Sequence, residues 1–249
     1  MTKEPIQILT LRFYQYTQAE ALSAVHRMVA ARRPAAIYTP NAEMACRAAR
    51  STAFSDLLNS ADLLLPDGVG IQLAARMQGV SLPRMPGIDF AEALLQSAPH
   101  SGYRLFLLGA APGVARAAAR RLTARYPHIT ICGIQDGYFA PEMAHAVACT
   151  IRQAAPDLLF VCLGSPRQEE WIAMHRPPCP ALALGGALDV WSGRVRRAPQ
   201  PVQRAGMEWL WRTLHQPARI KRLPALVSFS ARVLLDSSTA KREKCQKLP

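Results

Sequence analysis

The feature that most constrains the fold of this chain is an alternation of apolar runs with longer amphipathic segments. Six short runs over residues 1–193 are rich in aliphatic side chains, and they are 36–39, 61–65, 104–108, 129–134, 158–163 and 181–184. Uniformly apolar strands separated by helices are typical of a parallel sheet that is covered on both faces. The sequence therefore predicts an α/β fold, a Rossmann-like parallel sheet flanked by helices.

Four helices are predicted between these strands, over residues 43–58, 114–126, 141–153 and 167–175. Asn41 has a side chain suited to cap the first of them. Ser165 is predicted to cap the last, with Pro166 at its first position and Glu169 in its first turn. This leaves Gln168 without a structural reason, and a Gln at that helix start can hydrogen-bond a sugar or a uracil.

The composition changes near residue 193. Residues 194–249 carry 13 Lys and Arg against 3 Asp and Glu, whereas residues 1–193 carry 17 against 14. Tryptophans and aliphatic residues are interleaved with the cations, a pattern that suits an anionic membrane surface. We expect a catalytic core over 1–193 and a basic, amphipathic, helical C-terminal appendage over 194–249.

Other patterns bear on the class of protein. No apolar run approaches the ~18–20 residues of a spanning helix, and the N-terminus lacks the pattern of a signal peptide. We expect a cytoplasmic protein at the inner face of the plasma membrane. The six cysteines form no C-x-x-C pair and the six histidines no metal-binding spacing, so neither a metal site nor a cofactor is expected.

Ligands of open parallel sheets bind at the carboxyl ends of the strands. Polar and glycine-rich segments follow each predicted strand here, namely 39–41, 66–68, 109–113, 136–138, 164–169 and 185–186. Asp67, in the second of these segments, can act as a general base on a hydroxyl nucleophile. Turn chemistry alone also explains an Asp-Gly pair.

Two further groups of residues suit phosphate. The glycine-rich segment from Gly109 to Gly113 lets backbone N–H groups approach a diphosphate, although tight strand–helix packing explains it equally well. Arg212, Arg219 and Arg222 are spaced to share a helix face, with forked donors that fit phosphate. A solvated cationic face is the alternative.

These segments together resemble the WecG/TagA/CpsF family of bacterial glycosyltransferases. The matching stretches, in family order, are TPNAE (39–43), LLLPDGVGI (63–71), PRMPGIDF (83–90), FLLGAAPGVA (106–115), DGYF (136–139), PDLLFVCLGSPRQEEWI (156–172), GGALDVWSGRVRRAP (185–199) and GMEWLWRTLHQPARIKR (206–222). Mild departures occur at 183–186, 188–189, 167 and 207, where family members often carry other residues.

The resemblance implies an inverting, metal-independent transfer of a hexose or N-acetylhexosamine from a UDP-sugar to a polyprenyl-diphosphate-linked sugar in cell-surface polysaccharide biosynthesis. By the same resemblance Asp67 matches the catalytic base, and the pocket residues are Thr39, Asn41, Arg84 and Gln168. Arg212, Arg219 and Arg222 match arginines of an appendage that closes over the site and contacts the membrane.

Two other functions stay open on the residues alone. A Rossmann-type oxidoreductase predicts a G-x-G-x-x-G loop with an acidic residue ~20 positions further on, and neither is present in convincing form. A nucleic-acid-binding protein would use the basic tail, but no zinc-finger or RNP-type motif accompanies it, and we expect no nucleic acid. Apolar faces around the appendage favour a homo-oligomer. Asp136, Glu169 and Asp189 are the alternative bases.

Overall fold

The computed structural model of the protein describes residues 4–99, 102–215, 229 and 232–233. Its strands are β1 (Ile6–Ile8), β2 (Leu11–Phe13), β3 (Ala35–Tyr38), β4 (Leu63–Leu64), β5 (Arg104–Gly109), β6 (Thr130–Gln135), β7 (Leu158–Cys162) and β8 (Pro180–Ala183). Strands β3 to β8 form one parallel sheet in the order β4-β3-β8-β7-β5-β6, and β1 and β2 form a separate antiparallel pair. The predicted α/β fold is confirmed, and each predicted strand exists with bounds shifted by a few residues.

Helices cover both faces of this sheet. They are α1 (Gln18–Ala30), α2 (Ala42–Ala48), α3 (Thr52–Asn59), α4 (Val69–Met77), α5 (Gly87–Gln96), α6 (Val114–Arg125), α7 (Ala144–Ala154), α8 (Arg167–His175), α9 (Ala187–Trp191), α10 (Gln200–Arg204) and α11 (Glu208–His215), with a short 3-10 turn at Pro141–Met143. One face packs on α1, α5, α6 and α9, and the other on α2, α3, α4, α7 and α8.

The central strands explain why this sequence adopts a covered parallel sheet. All five residues of β7 are buried, and alternate residues supply the two cores: Phe160 lies in the core beneath α1, α5, α6 and α9, where it stacks on Trp191, while Leu159 and Val161 lie in the core on the opposite face. Burying a side chain of this size stabilises the fold by roughly 1.5–3 kcal/mol. Because such runs have no polar face, the sequence predicted a parallel sheet that is covered on both faces.

One predicted helix was wrong in extent. Residues 43–58 form not one helix but two, because the chain leaves the helix after Ala48 and Ser51 starts a new one. The Ser51 hydroxyl accepts a hydrogen bond from Phe54 N at 3.3 Å, the geometry of an N-cap. Asn41, by contrast, caps α2 as predicted, with its Oδ1 accepting from Met44 N at 3.1 Å.

The predicted cap at Ser165 was also wrong. The chain turns through Gly164 at a φ of +80°, and the amide of Gln168, the second residue of α8, donates to the Gly164 carbonyl. Pro166 occupies the N-cap position of α8 and no side chain caps this helix. The Ser165 hydroxyl is buried instead.

Several elements were not predicted at all. The hairpin β1–β2 alternates buried and exposed residues, and its buried side chains are Ile6, Ile8, Leu11 and Phe13. Helix α1 begins with a capping box in which Thr17 and Glu20 hydrogen-bond each other's backbone. Helices α4, α5, α9 and α10 were likewise missed.

Beyond residue 193 the chain returns to the core near α4. A Cβ placed on Gly206 would lie 2.3 Å from Val69, and the buried ring of Phe229 reaches 3.3 Å from where a Cβ of Gly70 would stand. Within the described part of the chain, no helix has both the length and the apolar content needed to cross a bilayer. Most of the predicted appendage after His215 lies outside the described residues.

Candidate active site

Two cavities lie at the carboxyl ends of the strands. The first, here called the Asp67 cavity, is lined by residues that include Thr39, Asn41, Glu43, Asp67, Gly70, Arg84, Gly87, Glu208, Trp209 and Thr213. The second, here called the glycine-rich cavity, is lined by residues that include Ala110, Ala111, Gly137, Tyr138, Cys162, Gly164, Arg167, Gly185, Asp189 and Arg194. Gly186 lines both cavities, so they are neighbours.

The backbone brings the polar residues of the Asp67 cavity together. Parallel pairing of β3 with β4 continues past both strands, because Leu65 N donates to Tyr38 O at 2.9 Å and Asp67 N to Pro40 O at 3.0 Å. These bonds hold the segment containing Asp67 beside the segment 39–41. The proximity that the parallel sheet predicted for Thr39, Asn41 and Asp67 follows from this register.

A glycine that the sequence reasoning did not single out shapes this cavity. The buried Thr39 hydroxyl donates to Ala183 O at 3.2 Å, which fixes it against β8. A Cβ on Gly87 would lie 2.9 Å from Thr39 Oγ1 and 3.3 Å from Leu184. Position 87 therefore needs glycine to bring the start of α5 this close to Thr39, a contact that spacing along the chain does not reveal.

Helix N-termini face the Asp67 cavity. The residues at the start of α4, from Gly68 to Gly70, and those at the start of α5, from Pro86 to Ile88, all line it. The first N–H groups of a helix and its dipole favour negative charge. The Asp67 cavity therefore has groups suited to an anionic ligand, although the carboxylates of Glu43, Asp67 and Glu208 also line it.

Arg84 joins this cavity to the segment that follows residue 193. Its Nη1 donates to Gln203 O at 3.1 Å. Beyond Gln203, residues of α11 and the turn before it form one wall of the cavity, namely Gly206, Glu208, Trp209 and Thr213. The cavity is thus closed on one side by chain that is remote in sequence from Asp67.

Arg197, which the sequence reasoning missed, anchors this wall. Its guanidinium makes two hydrogen bonds to the Asp89 carboxylate, one of them from Nη2 at 2.8 Å, and its Nε lies 3.6 Å from Glu208 Oε1. Burial alone would lower the pKa of Arg197, but the hydrogen bond and charge of Asp89, together with Glu208, raise it. An arginine only 16% exposed thus ties α5 to α11.

The glycine-rich cavity is built mainly from backbone. Gly109 has a φ of +131°, and a Cβ there would stand 2.3 Å from Cys162 O, so only glycine fits between β5 and β7. Gly109 itself does not line either cavity, but Ala110, which follows it, donates from N to Cys162 O at 3.2 Å and accepts from Gly137 N at 2.8 Å. These bonds hold the loops after β5, β6 and β7 around one opening.

Arg167 and Cys162 complete the description of the glycine-rich cavity. Arg167 donates to Gly137 O at 2.9 Å and to Phe139 O at 3.2 Å, with its guanidinium carbon 4.9 Å from the centre of the Phe139 ring. It therefore braces the loop after β6. Burial raises the pKa of the Cys162 thiol to about 12, so this side chain is a neutral thiol and not a nucleophile at pH 7.

Gln168 lies behind the junction of the two cavities and lines neither. It is 4% exposed, its Oε1 accepts from Gly185 N at 2.9 Å, and its Nε2 donates to Glu169 Oε1 at 2.7 Å. Both ends of the amide are thereby engaged by the protein. These two contacts give Gln168 a structural role, which the sequence did not suggest.

The other carboxylates considered as bases occupy different places. Asp136 accepts from Tyr138 N at 3.1 Å in the turn after β6, Asp189 lines the glycine-rich cavity, and Glu169 is fully buried. The Asp67 cavity contains two acids that the sequence reasoning did not consider, Glu43 and Glu208. Asp67 is the one placed at the end of a strand.

Of the three arginines assigned to the appendage, Arg212 alone lies within the described residues. Arg212 belongs to α11, the helix that forms a wall of the Asp67 cavity. Arg219 and Arg222 lie outside the described residues. Among the described residues, no three His, Cys, Asp or Glu side chains form a group able to hold a metal ion.

Comparison with known proteins identifies relatives over most of the chain. The sequence model of the family described as "Glycosyl transferase WecG/TagA/CpsF family" matches residues 6–243. A protein of Bacillus subtilis named N-acetylglucosaminyldiphosphoundecaprenol N-acetyl-beta-D-mannosaminyltransferase is 36% identical over 211 residues, which cover 83% of this chain and 82% of the relative. A protein of the same name from Bacillus spizizenii is 37% identical over 202 residues, 80% of this chain and 78% of that relative.

Proposed function

The chain is a glycosyltransferase of the WecG/TagA/CpsF family, and from that premise we propose that it moves an N-acetylhexosamine or hexose from a UDP-sugar to a polyprenyl-diphosphate-linked sugar. Its relatives are named as N-acetylmannosaminyltransferases acting on N-acetylglucosaminyldiphosphoundecaprenol. N-Acetylmannosamine and N-acetylglucosamine are accordingly the first donor and acceptor sugars to test. The product would enter cell-surface polysaccharide biosynthesis.

The observation that carries this proposal is the pair of neighbouring cavities. A transferase must hold two substrates with the reacting atoms in contact, and cavities that share Gly186 provide that arrangement. The glycine-rich cavity, formed by loops after three strands, suits the nucleotide, since loops at this edge bind nucleotides in open α/β sheets. Gly109 would act there by placing Ala110 and Ala111 at the opening.

The Asp67 cavity suits the chemistry. In a single displacement the acceptor hydroxyl attacks the anomeric carbon, the new glycosidic C–O bond forms, and the bond from that carbon to the diphosphate oxygen of UDP breaks with inversion. Asp67 would take the hydroxyl proton as this bond forms. Thr39 and Asn41, held by Ala183 O and by the cap of α2, would position the sugar beside it.

The departing diphosphate carries negative charge that must be balanced. Without a metal ion, the N-termini of α4 and α5 and the guanidinium of Arg84 would supply the balancing charge at the Asp67 cavity. Arg212, Arg219 and Arg222 would add to it if the appendage completes the wall begun by α11. The packing of Phe229 against Gly70 supports this, since it returns the tail to a residue that lines the cavity.

The same segment would bring the enzyme to its lipid-linked acceptor. Met207, Trp209 and Leu214 are 46%, 46% and 70% exposed, in a region where the sequence is strongly basic. Exposed apolar groups among cations favour the surface of an anionic membrane. We therefore place the enzyme at the inner face of the plasma membrane, with residues 194–249 as the appendage that contacts it.

The test is UDP release from a panel of UDP-sugars, with and without a synthetic prenyl-diphosphate-linked N-acetylglucosamine, in EDTA and in Mg²⁺. We expect release from UDP-N-acetylmannosamine that depends on acceptor and is unchanged by EDTA. Release that needs Mg²⁺ would overturn the metal-independent mechanism. Absence of release with every pair of donor and acceptor, from folded protein, would overturn the assignment of substrates.

A further inference from the structure

A buried carboxyl group lies directly behind the two cavities and takes no part in the mechanism above. Glu169 is 0% exposed, and one of its oxygens, Oε1, accepts from Gln168 Nε2 at 2.7 Å. The other oxygen, Oε2, and the Ser165 hydroxyl are buried, and neither makes a hydrogen bond of good geometry among the described residues, but the hydroxyl is close enough to the carboxyl to favour its charged form. Burial makes a charge costly at this position.

The environment of Glu169 points the same way. Burial raises the pKa of its carboxyl, and the hydrogen bonds from the Gln168 side chain, the Glu169 backbone and the Ser165 side chain offset that rise only in part. Tyr38, from β3, donates its hydroxyl to the Glu169 backbone carbonyl at 3.2 Å and so brings no charge to the carboxyl. A protonated carboxyl can accept through one oxygen and donate through the other.

The two hydrogen bonds of Gln168 depend on which way its amide group points. An amide has a donor end and an acceptor end. Because Glu169 takes the Nε2 end, the Oε1 end faces Gly185 N, from which it accepts at 2.9 Å. Rotating the amide by half a turn would put an N–H group against the Gly185 N–H and break that bond.

Gly185 is the residue that this chain of contacts reaches. It adopts a φ of +55°, lines the glycine-rich cavity, and precedes Gly186, which lines both cavities. The turn 184–186 therefore forms the boundary between them. A shift of this turn would move the nucleotide site relative to the Asp67 cavity.

We propose that Glu169 is a positioning residue: its Oε1 accepts from Gln168 Nε2 and so holds the Gln168 amide in the orientation that binds Gly185 N, which fixes the turn shared by the two cavities. Gln168 acts here through the Gly185 backbone and lines neither cavity. The catalytic consequence rests on the proposed transferase function. The control of the turn does not, since it concerns only contacts within the protein.

The experiment measures amide hydrogen exchange at Gly185 by NMR in the full-length protein, relative to Leu184, whose N donates to Val161 O at 2.8 Å. The variants are Glu169→Gln, which keeps an acceptor oxygen on a side chain of the same shape, and Glu169→Leu, which removes the contact. Gln168→Leu removes the acceptor of the hydrogen bond from Gly185 N. Glu170→Gln, at an exposed neighbour on α8, is the matched control.

We expect Gly185 exchange to rise at least tenfold relative to Leu184 in Glu169→Leu and Gln168→Leu, and to stay within about threefold of wild type in Glu169→Gln and Glu170→Gln. In the transfer assay, kcat/KM for the donor should fall in the same order, with Glu169→Gln close to wild type. If Glu169→Leu does not fold, Gln168→Leu together with Glu169→Gln decides the matter.

Two results would overturn the proposal. One is unchanged Gly185 exchange in folded Gln168→Leu or Glu169→Leu protein. The other is exchange in Glu169→Gln as fast as in the Leu variants, since an acceptor oxygen at position 169 would then not hold the Gln168 amide. Failure of the wild-type protein to transfer any sugar would overturn the proposed function instead, and would leave the exchange result intact.

Discussion

The two cavities at the carboxyl edge of the sheet are built in different ways. The Asp67 cavity is lined by polar and charged side chains, among them Asp67, Thr39 and Arg84, and part of its wall comes from α11. The glycine-rich cavity is lined largely by loops that backbone hydrogen bonds hold together, and Arg167 donates a further hydrogen bond to the loop after β6. We infer that the first is specialised for reaction and the second for holding the donor nucleotide.

This difference leads to distinct expectations for substitutions. Changes in the Asp67 cavity should lower kcat with little effect on nucleotide binding, because they remove interactions made in the transition state. Changes in the glycine-rich cavity should raise the donor KM with little effect on kcat. The first three variants below each test one side of that division, and the fourth lies away from both cavities.

The largest effect is expected from Asp67→Asn. Loss of a general base typically lowers the rate by about 100- to 10 000-fold, and we expect a kcat reduction in that range with the Kd for UDP within about twofold of wild type. Steady-state UDP release and isothermal titration calorimetry with UDP measure the two quantities. Glu43→Gln, in the same cavity, is the control and should cost much less; near-normal turnover in Asp67→Asn would move the base elsewhere.

A smaller effect, again on the Asp67 cavity, is expected from Arg197→Gln. Hydrogen bonds to charged groups contribute roughly 1.5–3 kcal/mol, so loosening α11 should lower kcat/KM by about 10- to 100-fold. Faster tryptic cleavage after Arg204 or Arg212 should accompany the loss. Arg125→Gln removes an exposed ion pair with Glu92 and should change neither measurement; equal effects of the two variants would refute an anchoring role for Arg197.

The glycine-rich cavity is tested by Arg167→Gln. Removing its bonds to Gly137 O and Phe139 O should loosen the loop after β6. We expect the donor KM to rise about 5- to 10-fold, the equivalent of about one hydrogen bond, while kcat stays within twofold. Arg120→Gln, at an exposed position on α6, is the control. A loss confined to kcat would break the division between the cavities.

The smallest effect is expected at the opposite edge of the sheet, away from both cavities. Ser97 donates to Ala93 O at 2.7 Å and so accepts from His26 Nε2 at 2.9 Å, which leaves His26 Nδ1 to accept from the Tyr103 hydroxyl. Burial lowers the pKa of His26 below its usual value, so the neutral ring stabilises the fold above that usual value, and the contribution is lost as the pH falls through the lowered pKa.

His26→Asn should therefore flatten the fall in Tm between pH 7 and pH 5 and leave kcat and KM unchanged. Solvent screening of this partly exposed ring keeps the effect below the roughly 1.4 kcal/mol that one pKa unit represents. Thermal melts of both proteins across that range measure it. A parallel Tm profile in the two proteins would contradict the assignment of His26 as a neutral acceptor.

The parts of the fold that were predictable from the sequence are those set by local pattern. The strands of the central sheet appear as apolar runs, and α8 has the bounds that the sequence predicted. The grouping of Thr39, Asn41 and Asp67 follows from the parallel sheet, whereas Arg84 was assigned by resemblance alone. Capping side chains also marked two elements that were missed, at Thr17 for α1 and at Ser51 for α3.

The rest depends on contacts between distant residues. Helices α4 and α5 begin without a capping side chain, so neither carries a local start signal. Arg197 and Asp89 are 108 residues apart, and nothing near Arg197 indicates that it is buried between two acids. Gln168 showed no structural role in the sequence because its partner Gly185 is 17 residues away, on the other side of β8.

The most direct test of the division between the cavities is amide chemical-shift mapping of UDP binding to the full-length protein. We predict that the largest shifts occur at Gly137, Tyr138 and Gly164 in the glycine-rich cavity, and that they persist in Asp67→Asn. The largest shifts at Gly68 and Gly70, with Gly137 and Gly164 unmoved, would place the nucleotide in the Asp67 cavity and contradict the account.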